Sequence, residues 1–474
     1  MGCARNSHRQ GGLPCVRIIS ASGGGRGEFF SLGVQDVTFN AIRQVLPDRL
    51  IEGACRAVGH VYRRRTLTPV VTVLHMLLAA IWPEESFQAG ADLLWANFAA
   101  AFPWLNSKQP SSGSFAKARG RLPVTLWQRI ARAIAEKADA LSQRWSQWRG
   151  HRVVLVDGTC VSMPAEAELF GEFGRSTGRG GTRHYPLGRI VAVSLANTMV
   201  VLRYAFGRYA DSEISLLRPL LGDLRTGDLL VGDRHFAGAN LYAEYSREGL
   251  QFLMRAHQGR RVDRLRPVEV FADNDFIARL PVSNKHRRID PSLPKTVLVR
   301  LIAATVSTRK NRRRTMWFVT SLLDAQAYPA AEIVELYGRR WSIETLFRQL
   351  KVDLHADVLR SRSAQGVRTE LAARVTALNV VRCLMLQAAD AHDQDPMRLS
   401  FAAALRVTLA SSPYFATAPP WQLPDLEAAM LRQIAQHRLP ARPGRLEPRA
   451  VRREKKHYPR LRITRRQWKE QWAA

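Results

Sequence analysis

The strongest constraint on the fold is a change of sequence pattern at residue 151. Short apolar runs rich in β-branched residues begin there: HRVVLVDGT at 151–159, RIVAVSLAN at 189–197 and MVVLRYAFG at 199–207. Two more runs, GDLLVGDRHFAG at 227–238 and LQFLMRAH at 250–257, alternate with helical patterns. Three strands followed by alternating helices and strands predict an α/β fold with a mixed sheet.

The pattern also divides the 474 residues into regions. Residues 1–26 contain two glycine clusters without a signal peptide and are expected to be disordered. Residues 27–150 are predicted to be helical, 151–360 to form the α/β domain, and 361–435 to form C-terminal helices. From about 257 to 320 the helical alternation stops, which predicts a β-rich, positively charged insertion. The basic stretch 436–474 is predicted to be an extended tail that binds phosphate, the alternative being a solvated tail.

The charge of the chain predicts its partner. Lys and Arg number 71 against 40 Asp and Glu, a net charge of +31. Such an excess favours a polyanion, and nucleic acid is the first candidate. The helix predicted in SSGSFAKARGRL at 111–122 would contact DNA phosphates through Lys117, Arg119 and Arg121, or would simply present a solvated face.

Cysteine usage and hydropathy exclude other classes. The five cysteines never form a CxxC pair, which argues against a zinc site or disulfide framework and suits a reducing cytoplasm. The longest apolar run, PVVTVLHMLLAAIW at 69–82, is too short to span a bilayer and predicts a core helix, so no membrane partner is expected. The glycine-rich GRSTGRGG at 174–181 lacks the ending of a phosphate loop, so no nucleotide cofactor is expected.

Two predicted strands end in an aspartate, Asp157 after VVLV and Asp233 after LLVG. Functional groups collect at the carboxyl ends of strands in α/β sheets, although an aspartate there is also a common turn residue. Carboxylates that share a pocket need a cation, and an all-oxygen site suits Mg²⁺ or Mn²⁺. Two such ions about 4 Å apart can activate an attacking oxygen and stabilise a leaving oxygen on a phosphodiester.

The segment ELYGRRWSIETLFRQLKVDLHADVLRSRS at 335–363 predicts a helix. Tyr337, Arg340, Glu344 and Lys351 fall within an arc of about 60° beside its apolar face. Glu344 would complete the metal site, Arg340 and Lys351 would grip phosphates, and Tyr337 would hydrogen-bond one of them. The alternative is a solvated face in which Arg340 and Glu344 form an i,i+4 pair worth tenths of a kcal/mol.

The spacing from Tyr337 through Arg340 and Glu344 to Lys351 resembles, without a gap, the YREK signature of the DDE transposases of the bacterial insertion-sequence-four family. The resemblance covers roughly residues 60–460. It implies a ribonuclease-H-like catalytic domain interrupted by the β-rich insertion. It implies Asp157, Asp233 and Glu344 as the catalytic residues, with two divalent metal ions. It also implies cleavage at transposon ends and strand transfer by a 3′-hydroxyl within a synaptic homodimer bound to double-stranded DNA.

One departure concerns a tryptophan. Relatives that pass through a hairpin intermediate hold a flipped base with a Trp four residues before a Thr; here Thr320 has Met316 at that distance and Trp317 one residue later. One residue reverses the side-chain direction on a strand, so the hairpin route is not predicted. Trp317 and Trp341 are candidates to stack on a base, with packing against the sheet as the alternative. Arg234, directly after the second Asp, is a candidate phosphate contact.

Three function classes remain at this point. The leading prediction is a cytoplasmic, nucleoid-associated transposase that works by cut and paste. A ribonuclease-H-like nuclease without strand transfer would share the three carboxylates but would need no long insertion. A non-catalytic DNA-binding protein descended from a transposase would be expected to have lost at least one of them, and all three are present.

Overall fold

The computed structural model describes residues 40–63, 65–82, 87–101, 108–178, 181–182, 184–257, 262–307, 313–440 and 470. The expectation of disorder at 1–26 and most of the predicted basic tail lie outside these residues. The chain divides into a large unit, Met1–Ala304 with Thr315–Leu439, and a small one, Thr305–Arg314 with Pro440–Ala474. Most of the small unit is not among the described residues.

The region before the sheet is helical, as predicted. Its helices are α1 Asn40–Val45, α2 Asp48–Ala57, α3 Pro69–Ile81, α4 Phe87–Ala101, α5 Ser112–Arg121 and α6 Val124–Ser146. Helix α3 carries the apolar run at 69–82, and all of its residues are buried, which confirms a core helix. Thr68 caps it by accepting a hydrogen bond from the Val71 amide, and Pro69 occupies a position where no amide donor is needed.

A ten-stranded mixed sheet forms the centre of the molecule. Its strands are β1 Gln147–Trp148, β2 His151–Ser162, β5 Leu187–Leu195, β6 Val201–Arg208, β7 Leu229–Gly232, β8 Gln251–Arg255, β9 Pro267–Ala272, β10 Asp275–Pro281, β11 Thr296–Ser307 and β12 Arg313–Thr320. Strands β3 Thr177–Gly178 and β4 Gly181–Thr182 pair separately. The strand order is β6-β5-β2-β7-β8-β12-β11-β10-β9, with β1 paired to β2.

The first five strands of this order have the predicted ribonuclease-H-like arrangement. Strands β6, β5 and β2 pair antiparallel, whereas β2, β7 and β8 pair parallel. The parallel strands are buried on both faces, which explains their continuous apolar sequences. From β12 to β9 the sheet continues through strands of the predicted insertion, and β12 joins β8 through three antiparallel residue pairs from Phe318 to Thr320.

Helices flank the sheet and follow it. They are α7 Ala167–Phe173, α8 Glu213–Leu221, α9 Ala239–Arg247, α10 Asn284–Ile289, α11 Ala330–Gly338, α12 Trp341–Arg348, α13 Ala364–Ala391, α14 Phe401–Thr417 and α15 Leu423–Gln436. Helix α13 packs against α6 and α3. By length and composition alone α13 is apolar enough to cross a membrane, but 94% of its apolar window is buried inside the protein.

The single helix predicted for 335–363 is wrong. Helix α11 ends at Gly338, α12 begins at Trp341, and residues 349–353 form a π-helix. Between the two α-helices the amides of Arg339 and Arg340 donate to carbonyls three residues back, at Leu336 and Tyr337. The helical turn therefore tightens after Gly338, a poor helix former, and widens in the π-helix that contains Lys351.

A buried charge cluster connects α6 to the sheet. Arg152 on β2 donates to Asp228 through two nitrogens and to Asp139 of α6 over 2.7 Å. Arg225 donates a further hydrogen bond to Asp139. Arg152, Asp139 and Asp228 are all buried. Because each buried carboxylate faces a guanidinium, the cluster is neutralised within the protein.

Candidate active site

Asp157 lies on β2, and Asp233 directly follows the neighbouring parallel strand β7. In the pairing of β2 with β7, Leu155 is opposite Val231, so Asp157 and Asp233 each follow two residues after a paired position. Adjacent strands lie about 4.8 Å apart, so the two aspartates lie near each other beside the carboxyl end of β7. The sequence pattern therefore indicated the correct pair of strands.

The prediction that Asp157 ends its strand is wrong. Strand β2 continues to Ser162, because β5 pairs with it antiparallel from Val154 as far as Ser162. Asp233 does end β7. It caps a short 3-10 helix, and its Oδ1 accepts a hydrogen bond from the His235 amide over 2.7 Å.

Burial controls the ionisation of Asp157. The side chain is 21% exposed, and one oxygen accepts a hydrogen bond from the Gly158 amide over 2.8 Å. Burial raises the pKa of Asp157 to about 6, and the charges of Asp233 and Glu213 act in the same direction, while Gly158 and Arg340 lower it. Burial therefore disfavours the charged carboxylate, and additional positive charge bound beside it would favour that form.

Arg340 connects Asp157 to Glu344. Its Nη1 lies 3.4 Å from Asp157 Oδ2, and its Nη2 donates to Glu344 Oε1 over 3.0 Å. Arg340 is 9% exposed, whereas Glu344, in the first turn of α12, is 46% exposed. A single guanidinium thus contacts two of the three predicted catalytic carboxylates.

Tyr337 is buried and Lys351 is half-buried. The Tyr337 ring packs on Phe318 with 4.7 Å between centroids, and burial raises its pKa to about 12. Lys351 lies on the π-helix, where burial lowers its pKa while Cys160 and Asp357 oppose that shift. Lys351 therefore lies near the part of β2 around Cys160, about 10 Å along the strand from Asp157.

The two candidate tryptophans differ in their surroundings. Trp317 contacts Phe276 edge to face, with 5.8 Å between centroids, so part of its ring is used in packing. Trp341 is 58% exposed and has the Arg340 guanidinium 5.0 Å from its ring centroid. Trp341 also lines a cavity of about 570 Å³ together with Trp145 and Met397.

The remaining predicted contacts lie on exposed turns and on α5. Arg234, which follows Asp233, is exposed, and so is Lys117 on α5. The Arg119 guanidinium instead lies over the Phe87 ring, 3.8 Å from its centroid, and burial lowers its pKa. Arg119 is thus directed partly into the protein, whereas Lys117 is available to solvent.

Sequence reasoning missed Glu213, the first residue of α8. Its carboxylate Oε1 is 3.1 Å from Arg189 Nη1, and its Oε2 is 3.8 Å from His235 Nε2. Its charge raises the pKa of Asp157, so it lies near that residue. The contacts join positions far apart in sequence, and no local pattern around Glu213 could have revealed them.

Asp157, Asp233 and Glu344 carry carboxylate oxygens, which are the ligands that a hard divalent cation prefers. Among the residues that the structure describes, no group of three or more His, Cys, Asp or Glu side chains is arranged to hold a metal ion. The cation that contacts Asp157 and Glu344 in this arrangement is the guanidinium of Arg340.

Comparisons with known proteins found three similarities. The family model described as a transposase DDE domain matches residues 148–380. The transposase InsG of insertion sequence element IS4 from Escherichia coli (strain K12) is 26% identical over 320 residues, covering 66% of this chain and 70% of that protein. A cryo-EM structure of the piggyBac transposase synaptic complex with hairpin DNA is similar at a TM-score of 0.37, with 10% identity and 85% of each chain covered. Residues 148–380, which enclose Asp157, Asp233 and Glu344, therefore form a transposase DDE domain, and the chain is similar to a transposase of insertion sequence element IS4.

Proposed function

We propose that the protein catalyses cut-and-paste DNA transposition, cleaving the ends of an insertion sequence at its terminal inverted repeats and joining the 3′-hydroxyl ends to target DNA. The observation that carries this proposal is that Asp157 lies on β2, that Asp233 follows the adjacent parallel strand β7, and that Arg340 links Glu344 to Asp157. The similarity to the IS4 transposase and the match to the transposase DDE domain support it.

Asp157, Asp233 and Glu344 are the proposed catalytic residues and would hold two Mg²⁺ or Mn²⁺ ions. When bound, such ions activate the attacking oxygen and stabilise the leaving oxygen of a phosphodiester. The protein supplies the carboxylates and fixes two of them: Asp157 through the Gly158 amide and Asp233 through the His235 amide. Glu344 is the most exposed of the three, so DNA can approach from its side.

The cations around the acids would position the DNA backbone. Arg340 and Lys351 are proposed to bind phosphates beside the scissile bond, with Tyr337 donating to one of them. Phosphate contacts from Arg234, Lys117 and Arg119, and base stacking by Trp341 or Trp317, belong to the same proposal. The partially buried guanidinium of Arg119 makes it a weaker candidate than Lys117, which is exposed.

The assembly proposed for this reaction is a homodimer that pairs two transposon ends in a synaptic complex in the bacterial cytoplasm. Residues 27–150 would contact the DNA ends, 151–360 would form the catalytic domain with its insertion at about 257–320, and the basic tail from 436 would add phosphate contacts. The net charge of +31 supports a large nucleic-acid interface.

The decisive experiment replaces Glu344 with Gln, which keeps size and helix propensity but removes a charge and a metal-binding oxygen. Nicking of a labelled transposon-end duplex in Mg²⁺ should fall on the order of a thousandfold, while gel-shift affinity for the duplex holds. Asp157→Asn and Asp233→Asn should behave alike, and combining them should add little, because the site acts as a unit.

Glu335→Gln is a matched control, since Glu335 is a highly exposed glutamate on α11 whose contact is an i,i+4 pair with Arg339. It should cleave like the wild type. Cleavage by Glu344→Gln within about tenfold of wild type would contradict the assignment of Glu344 as a catalytic residue. Cleavage without joining of the 3′ ends to a target plasmid would instead identify a nuclease that lacks strand transfer.

A further inference from the structure

Glu213 lies against the backbone of the residue that follows Asp157. A Cβ atom added to Gly158 would be 2.4 Å from Glu213 Cδ and 2.5 Å from its Oε1. Such distances are too short for a real Cβ, so any other residue at 158 would force the Glu213 carboxylate to move. Glycine is used here for close approach, and the carboxylate of α8 packs directly on β2.

The two oxygens of Glu213 face two other elements. Oε1 accepts from Arg189 of β5, and that guanidinium also donates to the Tyr209 carbonyl. Oε2 faces the His235 imidazole at 3.8 Å. His235 is the residue whose amide holds Asp233. Glu213 thus contacts the segments on which both aspartates depend: Gly158 beside Asp157, and His235 beside Asp233.

We propose that Glu213 is a positioning residue that fixes Asp157 and Asp233 relative to each other through Gly158 and His235. The inference rests on the proposed function, because the two aspartates are the groups being positioned. Glu213 acts through its neighbours and not as a ligand, since its oxygens are directed to Arg189 and His235. Groups that orient metal-binding side chains typically change metal affinity or activity by about 10–100-fold when removed.

The test compares Glu213→Ala with Glu213→Gln in the full-length protein. Ala removes the contacts to both Arg189 and His235, so the Mn²⁺ concentration for half-maximal nicking should rise about tenfold. Mn²⁺ binding to the DNA-free protein, measured by electron paramagnetic resonance, should weaken to match, with duplex affinity unchanged. Gln keeps an oxygen for Arg189 and fills the space over Gly158, so it should remain within about threefold of wild type.

The variant Gly158→Ala provides an independent test of the proposal. The new methyl group would displace the Glu213 carboxylate, so this variant should weaken Mn²⁺ binding as Glu213→Ala does. In the double variant the displaced group is absent, and the second change should add little. Glu332→Ala is the control: Glu332 also lies in the first turn of a helix and pairs with an arginine, Arg149, so it should leave Mn²⁺ binding unaffected.

Two results would overturn the inference. If Glu213→Gln is as damaged as Glu213→Ala, the negative charge itself is needed and Glu213 is a ligand. If Glu213→Ala lowers the melting temperature but leaves Mn²⁺ binding and its half-saturating concentration unchanged, its role is only structural. If Asp157→Asn loses nicking while Glu213→Ala nicks and binds Mn²⁺ like wild type, only the positioning role of Glu213 is rejected. If Asp157→Asn still nicks DNA, the proposed function is rejected.

Discussion

Arg340 is a buried guanidinium that contacts Asp157 and Glu344 at the same time. In this arrangement the two carboxylates are already partly neutralised, so a divalent cation has to compete with a positive charge a few ångströms away. Unit charges at such distances interact by several kcal/mol at an effective dielectric constant near 20. At the proposed metal site, Arg340 would therefore act against metal binding until another anion, such as a DNA phosphate, drew it away.

This competition between Arg340 and a divalent cation predicts that removing the Arg340 charge increases metal affinity. Arg340→Gln should bind Mn²⁺ about tenfold more tightly than wild type in the absence of DNA, because a repelling charge is removed. The same variant should bind transposon-end DNA less tightly, since it lacks a phosphate contact. Electron paramagnetic resonance titration and a gel shift measure the two effects.

Arg339→Gln is the comparison for this experiment, because Arg339 is the preceding arginine and pairs with Glu335 and Asn197 instead. Its Mn²⁺ affinity should equal that of wild type. Unchanged or weaker Mn²⁺ binding by Arg340→Gln would show that Arg340 supports the site and does not compete at it.

At the scale of elements, the sequence predicted what depends on local pattern. The core helix predicted from the apolar run at 69–82 forms as α3, Pro69–Ile81. The course of β2 past Asp157 was missed, because its continuation to Ser162 depends on pairing with Leu187, 25 residues later. The break after Gly338 was missed because tightening and widening of successive turns leave the apolar spacing almost unchanged.

Helix α3 contains a histidine that makes folding sensitive to acid. His75 is fully buried, its Nε2 is 2.8 Å from the Phe87 carbonyl, and its Nδ1 has no hydrogen-bond partner among the described residues. Burial lowers the pKa of His75 to about 4, with Arg119 adding to the shift and the bond to Phe87 opposing it. The neutral ring is therefore the form that fits the fold.

The sign of the effect follows from proton uptake. Between pH 6.5 and 4 the unfolded chain binds a proton at this position and the folded chain does not, so stability falls as the pH falls through that window. The loss approaches about 3 kcal/mol below pH 4. His75→Gln, which cannot take up this proton, should remove that part of the slope. Urea unfolding of both proteins from pH 7 to 4 measures it; parallel curves would contradict the prediction.

At the scale of the whole molecule, the excess of basic residues predicts a steep dependence of DNA binding on salt. Each neutralised phosphate contributes about 0.9 to the slope of log K against log salt. Lys351→Ala should lower the slope by about one and weaken binding to every duplex alike. Fluorescence anisotropy between 50 and 300 mM salt, roughly the range over which such slopes are measured, tests this on an end duplex and an unrelated duplex. A loss confined to the end duplex would make Lys351 a base reader.

The candidate site was predicted only in part. Asp157 and Asp233 were predicted because each follows an apolar run typical of a strand. Glu344 was predicted from its helical spacing together with the resemblance to the YREK signature. The contact between Asp157 and Arg340 joins residues 183 positions apart, and the contacts of Glu213 join β5, α8 and the turn after β7. Such contacts depend on tertiary packing, and no spacing in a single chain encodes them.

The buried cluster around Arg152 limits how chains of this kind can be recombined during evolution. Helix α6 contributes Asp139, while the sheet side contributes Arg152 and Asp228. A crossover at residue 150 would inherit these charges from different parents, and losing one partner of a buried ion pair costs about 3–5 kcal/mol. Selection should therefore favour crossovers before residue 124, so that α6 and β2 are inherited as one block even where the helices before them have been replaced.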